Sequence, residues 1–209
     1  MAQDGYELQL LQHPRFGGET PMRFWRQAAP GAGEDDQALV PIDLEEELVR
    51  HPLAPAPVLE ALRYENGRQV IISADDATRL IVSAHPILLD DDGNPIEEVP
   101  LDAINFDPPR GALYDPPNAP AEDASWIFVF DDIGIRTLGR YVIHFCLMRI
   151  PRECEEPPEQ LAHATTDAFE VVEEARWPLF TDFYTELSAR LNRDHDHLNI
   201  YRPRYQDPR

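Results

Sequence analysis

Residues 126–150, WIFVFDDIGIRTLGRYVIHFCLMRI, carry the reading of the fold. Two apolar alternating segments flank a short polar link that contains glycine, the signature of a β-hairpin. In the first arm Ile127 and Val129 point one way and Phe128 and Phe130 the other, so both faces are apolar, as in a strand covered by layers on two sides. In the second arm Tyr141, Ile143, Phe145 and Leu147 share one face. Arg140, Val142, His144 and Cys146 share the other, giving a half-buried strand. The stretch predicts a buried β core.

Composition narrows the class. A chain of 209 residues with 43% hydrophobic content can bury one substantial core. Its 21 prolines and 10 glycines imply long, stiff connections rather than a helical bundle. Cys146 and Cys154 match no zinc spacing, and a reduced intracellular compartment suits them. The first dozen residues include Asp4 and Glu7 and lack both a basic start and an apolar run, so no signal peptide is expected. No segment reaches the roughly 18 apolar residues of a membrane helix.

The 126–150 stretch resembles the hallmark segment of the velvet family of fungal regulators. The resemblance rests on Phe128, Phe130, Asp132, Ile133, Ile135, Arg136, Gly139, Arg140, Tyr141, Phe145 and Leu147. Tyr6, Leu8, Leu10, Gln12, Pro14, Arg15 and Gly17 look like the family's opening strand and loop, and Pro41, Ile42 and Asp43 like its "R-P-I-D" step. Leu80 to Gly93 and Arg110 to Asp115 follow in the family's order. Phe169 to Arg202 resembles its closing block, with Trp177, Pro178 and the Thr185 to Ser188 run. The resemblance implies an all-β fold: an immunoglobulin-like antiparallel β-sandwich with short helical insertions, related to Rel-type DNA-binding domains. It implies a transcriptional regulator of fungal development, sporulation and secondary metabolism in nucleus and cytoplasm. It further implies pairing with another velvet-domain protein, as homo- or heterodimer, and contact with double-stranded DNA.

Charge opposes a simple DNA-binding reading. The formal net charge is −21, and every basic residue is arginine because the chain has no lysine. The family's lysine-rich DNA loop corresponds to residues 16–40, which hold only Arg23 and Arg26 beside the acidic run Glu34 to Asp36. Two segments are nonetheless basic. Residues 13–29 sum to +2 through Arg15, Arg23 and Arg26, and residues 188–209 also sum to +2, with Arg202 and Arg204 among their arginines. Arginine forks bind phosphate well. Arg15, Arg23, Arg26, Arg202 and Arg204 are therefore the candidate nucleic-acid-binding residues, forming one basic patch. The alternatives are a solvated strand end for Arg202 and Arg204, and an acidic subunit that works through a partner instead of touching DNA.

Along the chain the pattern predicts strands at 6–12, 69–73, 80–89 and 168–173, and a last one at 198–202. Residues 58–63 suit a helical turn or a strand, and Pro86 places the 80–89 strand at an edge or a bulge. Long proline-rich loops are expected near 95–122 and 151–166, within a single domain spanning 1–209. Thr181 is positioned to cap a helix over 182–191 with Phe183, Leu187 and Leu191 on its apolar face.

No catalytic residue, metal site or cofactor is expected. Asp90, Asp92 and Gly93 lack the first and twelfth ligands of a calcium loop and read as a turn. Asp194 to His197 read as a polar loop, and no nucleophile elbow, phosphate loop or dinucleotide fingerprint occurs. His85 and His144 read as structural strand residues. Arg136 and Arg140 read as covers of apolar surface or partners of Asp131 and Asp132, and Tyr141 as core.

Overall fold

The structure, a computed structural model, describes residues 5–18, 53–96, 104–105, 110–114, 125–131, 133–135, 137–152, 157–173, 176, 184–195, 198 and 200. Apolar alternation in these segments builds two packed sheets, the all-β sandwich that the sequence predicts. The first sheet contains β1 (Gly5–Gln12), β3 (Val58–Glu65), β4 (Arg68–Val70), β7 (Arg110–Tyr114) and β8 (Ser125–Val129). The second contains β2 (Phe16–Gly18), β5 (Leu80–Leu89), β10 (Gly139–Arg149), β11 (Glu159–Thr165) and β12 (Phe169–Val172). A short pair, β6 (Ile104–Asn105) with β9 (Gly134–Ile135), stands apart. The helices α1 (Ala74–Ala77) and α2 (Glu186–Asp194) complete the described elements.

The hairpin expected over 126–150 does not form. Its arms lie in different sheets: β8 pairs with β3 and β7, whereas β10 pairs with β5, β11 and β12. The link between them is not a solvent turn, because Phe130, Ile133 and Ile135 in it are only 0–2% exposed. Burying those side chains requires the chain to cross from one sheet to the other. Phe130 N–H donates to Pro57 O and Leu53 N–H to Ile133 O, which anchors the crossing. Alternation predicts each strand correctly but carries no information about its partner.

The two-sided apolarity of the first arm has a direct cause. Phe128 and Phe130 enter the main core between the sheets, with Tyr141, Ile143, Phe145 and Leu147 from β10. Ile127 and Val129 face outward into a second cluster, where Leu191 of α2, Leu198 and Ile200 cover them. β10 alternates as predicted, with those four inward residues fully buried.

Other elements refine the sequence reading. Residues 58–65 are strand. β5 pairs only with β10 among the described strands, which makes it the edge that Pro86 suggested. β11 occupies much of the 151–166 stretch expected as a loop, and β6 and β7 lie inside the 95–122 stretch. β11 (EQLAHAT) contains few good strand formers and is held by its register with β10. One strand pair departs from the antiparallel pattern, since β2 runs parallel to β12. The 69–73 strand is shorter than expected, because Ser73 caps α1 by accepting the Asp76 N–H.

At residues 90–94 the expected turn is present. Asp90 accepts the backbone N–H groups of Asp92 and Asn94, and Gly93 sits at φ 86°. These donors, Asn94 foremost, hold the Asp90 carboxyl below its ordinary value.

The G-R-Y run at 139–141 is explained by packing. Gly139 has φ 150°, and a Cβ there would stand 2.6 Å from Leu88 Cδ1. Tyr141 is fully buried, stacks with Phe169 at 6.2 Å and donates its hydroxyl to Thr137 O at 3.0 Å. Gly139→Ala is expected to cost about 1–3 kcal/mol, chiefly because an L side chain is strained at this φ while the end of Leu88 can shift aside. Denaturant unfolding measures it.

Candidate nucleic-acid interface

Of the five arginines expected to form one basic patch, the structure places one. Arg15 is exposed at the corner between β1 and β2, while Arg23, Arg26, Arg202 and Arg204 lie outside the described residues. The corner is well fixed. Arg15 and Phe16 N–H groups donate to Ala54 O, Ala54 N–H donates to Phe16 O, and Pro14 is buried. Beside it, Asp167 N–H donates to His13 Nδ1 at 3.0 Å, and the Asp167 carboxylate lies 3.4 Å from the same nitrogen.

Ahead of Arg202 and Arg204 in the sequence stands α2. This helix begins at Glu186 with Thr185 as its cap, four residues later than the sequence suggests; Thr181 and Phe183 lie outside the described residues. Thr185 accepts the Ser188 N–H and donates to Gln12, which is buried and also bonds Ala56 O and Ser188 Oγ. Leu191 is buried and Leu187 packs beside it, as the apolar stripe requires. Asn192 then donates to Ile200 O and accepts the Ile200 N–H, both at 2.9 Å, while also donating to Tyr184 Oη. Leu198 and Ile200 are not in a strand. An amide side chain supplies the pairing that a neighbouring strand would have made.

The described residues gather a different set of arginines, around α1, the corner that joins β4 to β5. Arg63 donates to Asp76 at 3.0 Å and to Glu65 at 2.6 Å, and Arg152 donates to Asp75 at 2.7 Å. Arg79 Nε donates to Ile150 O, and Ile150 N–H returns a bond to Arg79 O. Arg63 and Arg149 both lie over the Tyr6 ring, 5.8 and 5.2 Å from its centre, and Arg149 is 3.8 Å from Glu159. Tyr6 and Arg63 are partners in the β1–β3 register, and Arg149 is opposite the buried Leu80. The arginine stems and heads thus cover the open end of the core, with Arg149 Nε buried there.

Carboxylates or carbonyls already engage Arg63, Arg79, Arg149 and Arg152, so the α1 corner is a clasp between the sheets and a poor phosphate cradle. Sequence reading misses this group because its members lie in separate segments and meet only through pairing and the α1 turn. Arg140 is exposed on β10, and Arg136 and Asp132 lie outside the described residues. Among the described residues no group of three or more His, Cys, Asp or Glu side chains is arranged to hold a metal ion. Cys146 is a free thiol. No described helix is long and apolar enough to cross a membrane.

Among curated proteins none matches this chain. A family model does: residues 105–200 match the model described as Velvet factor. The matched span takes in the second sheet's β10, β11 and β12, the crossing link, β7 and β8, and α2. It contains the buried Tyr141, Phe145 and Leu147 and the tightly packed Gly139. The residues that carry the resemblance are thus largely those that build the core, and residues 105–200 of this chain match a velvet domain.

Proposed function

We propose that this chain is a velvet-family transcriptional regulator of fungal development, sporulation and secondary metabolism, working in nucleus and cytoplasm as a homo- or heterodimer that contacts double-stranded DNA. The observation that carries the reading is the Velvet factor match across 105–200, which lies on one buried β framework. Arg15 on its rigid corner, with Arg23 and Arg26 following in sequence, supplies the phosphate contacts. Remote acidic clusters oppose this only weakly, because charges beyond about 8 Å are largely screened at physiological salt.

A specific observation favours a second reading. Four described arginines are engaged around α1 and the chain carries −21, so this protein suits the acidic half of a heterodimer whose partner holds most of the DNA. Opposite surface charge would speed and steer that pairing. Both readings require pairing. Native mass spectrometry of the chain mixed with a basic velvet-domain protein is expected to show a one-to-one complex, and two separate monomers at tens of micromolar would overturn the heterodimer.

A further inference from the structure

Of all the serines and threonines in the chain, only Ser73 is followed three residues later by an acid, Asp76, with Asp75 directly before it. The spacing has a structural use, since Ser73 Oγ accepts the Asp76 N–H as the cap of α1. It is also a charge pattern that protein kinases with a basic substrate groove select, because carboxylates just after the serine pair with that groove.

The Ser73 hydroxyl stands at the surface beside a guanidinium. Ser73 is exposed, in the link between β4 and α1. Its Oγ donates to Asp76 Oδ2 at 3.1 Å, and the same carboxylate oxygen accepts from Arg63 Nη1 at 3.0 Å. One oxygen atom therefore separates the hydroxyl from Arg63. That arginine is held in place, opposite Val70 in the β3–β4 register, over the Tyr6 ring and bonded to Glu65. The acidic segment is held less firmly. The helix α1 has four residues and none is fully buried. Its ion pairs are Arg63 with Asp76 and Arg152 with Asp75, and in the second both side chains are more than 70% exposed, a setting in which a pair contributes little. Local opening of so short a helix presents Ser73, Asp75 and Asp76 together to an enzyme.

We propose that Ser73 is a phosphorylation site for an acid-directed protein kinase, and that Arg63 then holds the phosphate in place of the Asp76 carboxylate. Ser73 Oγ attacks the γ-phosphorus of ATP. The Oγ–P bond forms as the bond from that phosphorus to the departing ADP oxygen breaks, and the hydroxyl proton passes to the kinase's base. The phosphate brings about −1.5 to −2 charges and three acceptor oxygens, against the single charge of Asp76. A guanidinium pairs with it through two N–H groups. Asp75 and Asp76 are repelled by the new charge, so α1 loses its tie to β3 and, among the described residues, keeps only the Arg152–Asp75 ion pair. The modification thus loosens the corner between β4 and β5. It requires neither DNA contact nor a partner chain.

The full chain incubated with ATP and an acid-directed serine/threonine kinase, then analysed by intact and fragment mass spectrometry, tests the site. We expect one phosphate, on Ser73, and none on Ser73→Ala, a change that removes only an exposed cap. Asp76→Asn should slow incorporation about tenfold, the scale of one charge-assisted contact. That change also frees α1 from Arg63, so a slower rate reports recognition and not access. Phosphorus NMR against pH reads the capture by Arg63. A neighbouring guanidinium favours the dianion, so the second ionisation, ordinarily near pH 6, should lie about one unit lower in the parent chain than in Arg63→Gln. In the parent chain itself the Ala77 and Thr78 amides, which bond Ser73 O and Ala74 O, should exchange faster once the phosphate is on. No incorporation, or phosphate placed on other hydroxyls as readily as on Ser73, overturns the site. An ionisation unmoved by Arg63→Gln, or unchanged exchange at α1, overturns the capture by Arg63.

Discussion

Phe145→Ala is expected to cost about 3–5 kcal/mol, the range for removing a buried aromatic ring without full collapse of the cavity. Phe145 is fully buried in the middle of β10, and its ring centre lies 4.9 Å from that of Phe130. Phe130 stands at the start of the crossing link and Phe145 in β10, so the contact ties the link to the strand it leads into. Beta structure flanks Phe145 closely: Ala84 and Ala164 are its register partners, and neither can grow to fill the space. With total stabilities near 5–15 kcal/mol, the variant retains only a fraction of the original. Thermal unfolding should fall by roughly 6–20 °C, at about 2–4 °C per kcal/mol for a domain of this size. A fall of less than a few degrees would mean that the sheets are not packed through this residue.

The second large effect is local in character. Leu191 is 1% exposed and is the main anchor of α2 on the outward side of Val58, Ile127 and Val129. Leu191→Ala should cost about 2–5 kcal/mol by the same cavity argument. The helix spans only nine residues, too short to persist without its packing face. Its cap, Thr185 with Gln12, fixes one end, and Asn192 hands its grip to Ile200 at the other. Loosening α2 therefore releases Leu198 and Ile200, which pack against it. Hydrogen exchange is the appropriate readout: amides of α2 should lose protection well before those of β10. Equal loss in both would show that α2 and the sandwich unfold as one unit.

The contrast between these two residues shows what the sequence can carry. Period-two alternation locates β1, β5, β10 and β12 nearly to their ends and identifies Phe145 as core, because burial on one face leaves that pattern in the chain. It also marks β8 as covered twice, which the α2 cluster explains. Pairing leaves no comparable trace. The apolar link between β8 and β10 contains Asp131 and glycines and so imitates a turn, while its Ile133 and Ile135 belong to the core. β11 is hidden by alanine, glutamine and histidine, whose place in a sheet comes from β10 alone. The helix cap stands at Thr185, four residues after its expected place, because Thr185 accepts the Ser188 N–H and is tied to the buried Gln12, a contact that no local pattern announces.

The candidate site is less legible than the fold for a related reason. Basic clustering in a sequence measures composition, whereas phosphate binding depends on which guanidinium groups remain unengaged. Arg63 and Arg152 look equivalent to Arg15 as letters, yet carboxylates hold the first two and Arg15 stands exposed on its corner.

The most direct test of the regulator reading is a salt titration of duplex DNA binding, by the chain alone and mixed with a velvet-domain partner. Binding that weakens with rising salt is expected. Replacing Arg15, Arg23 and Arg26 by alanine should reduce the log–log slope by about one unit for each phosphate that is no longer neutralised. Absence of binding at low salt, with and without the partner, would contradict the regulator reading.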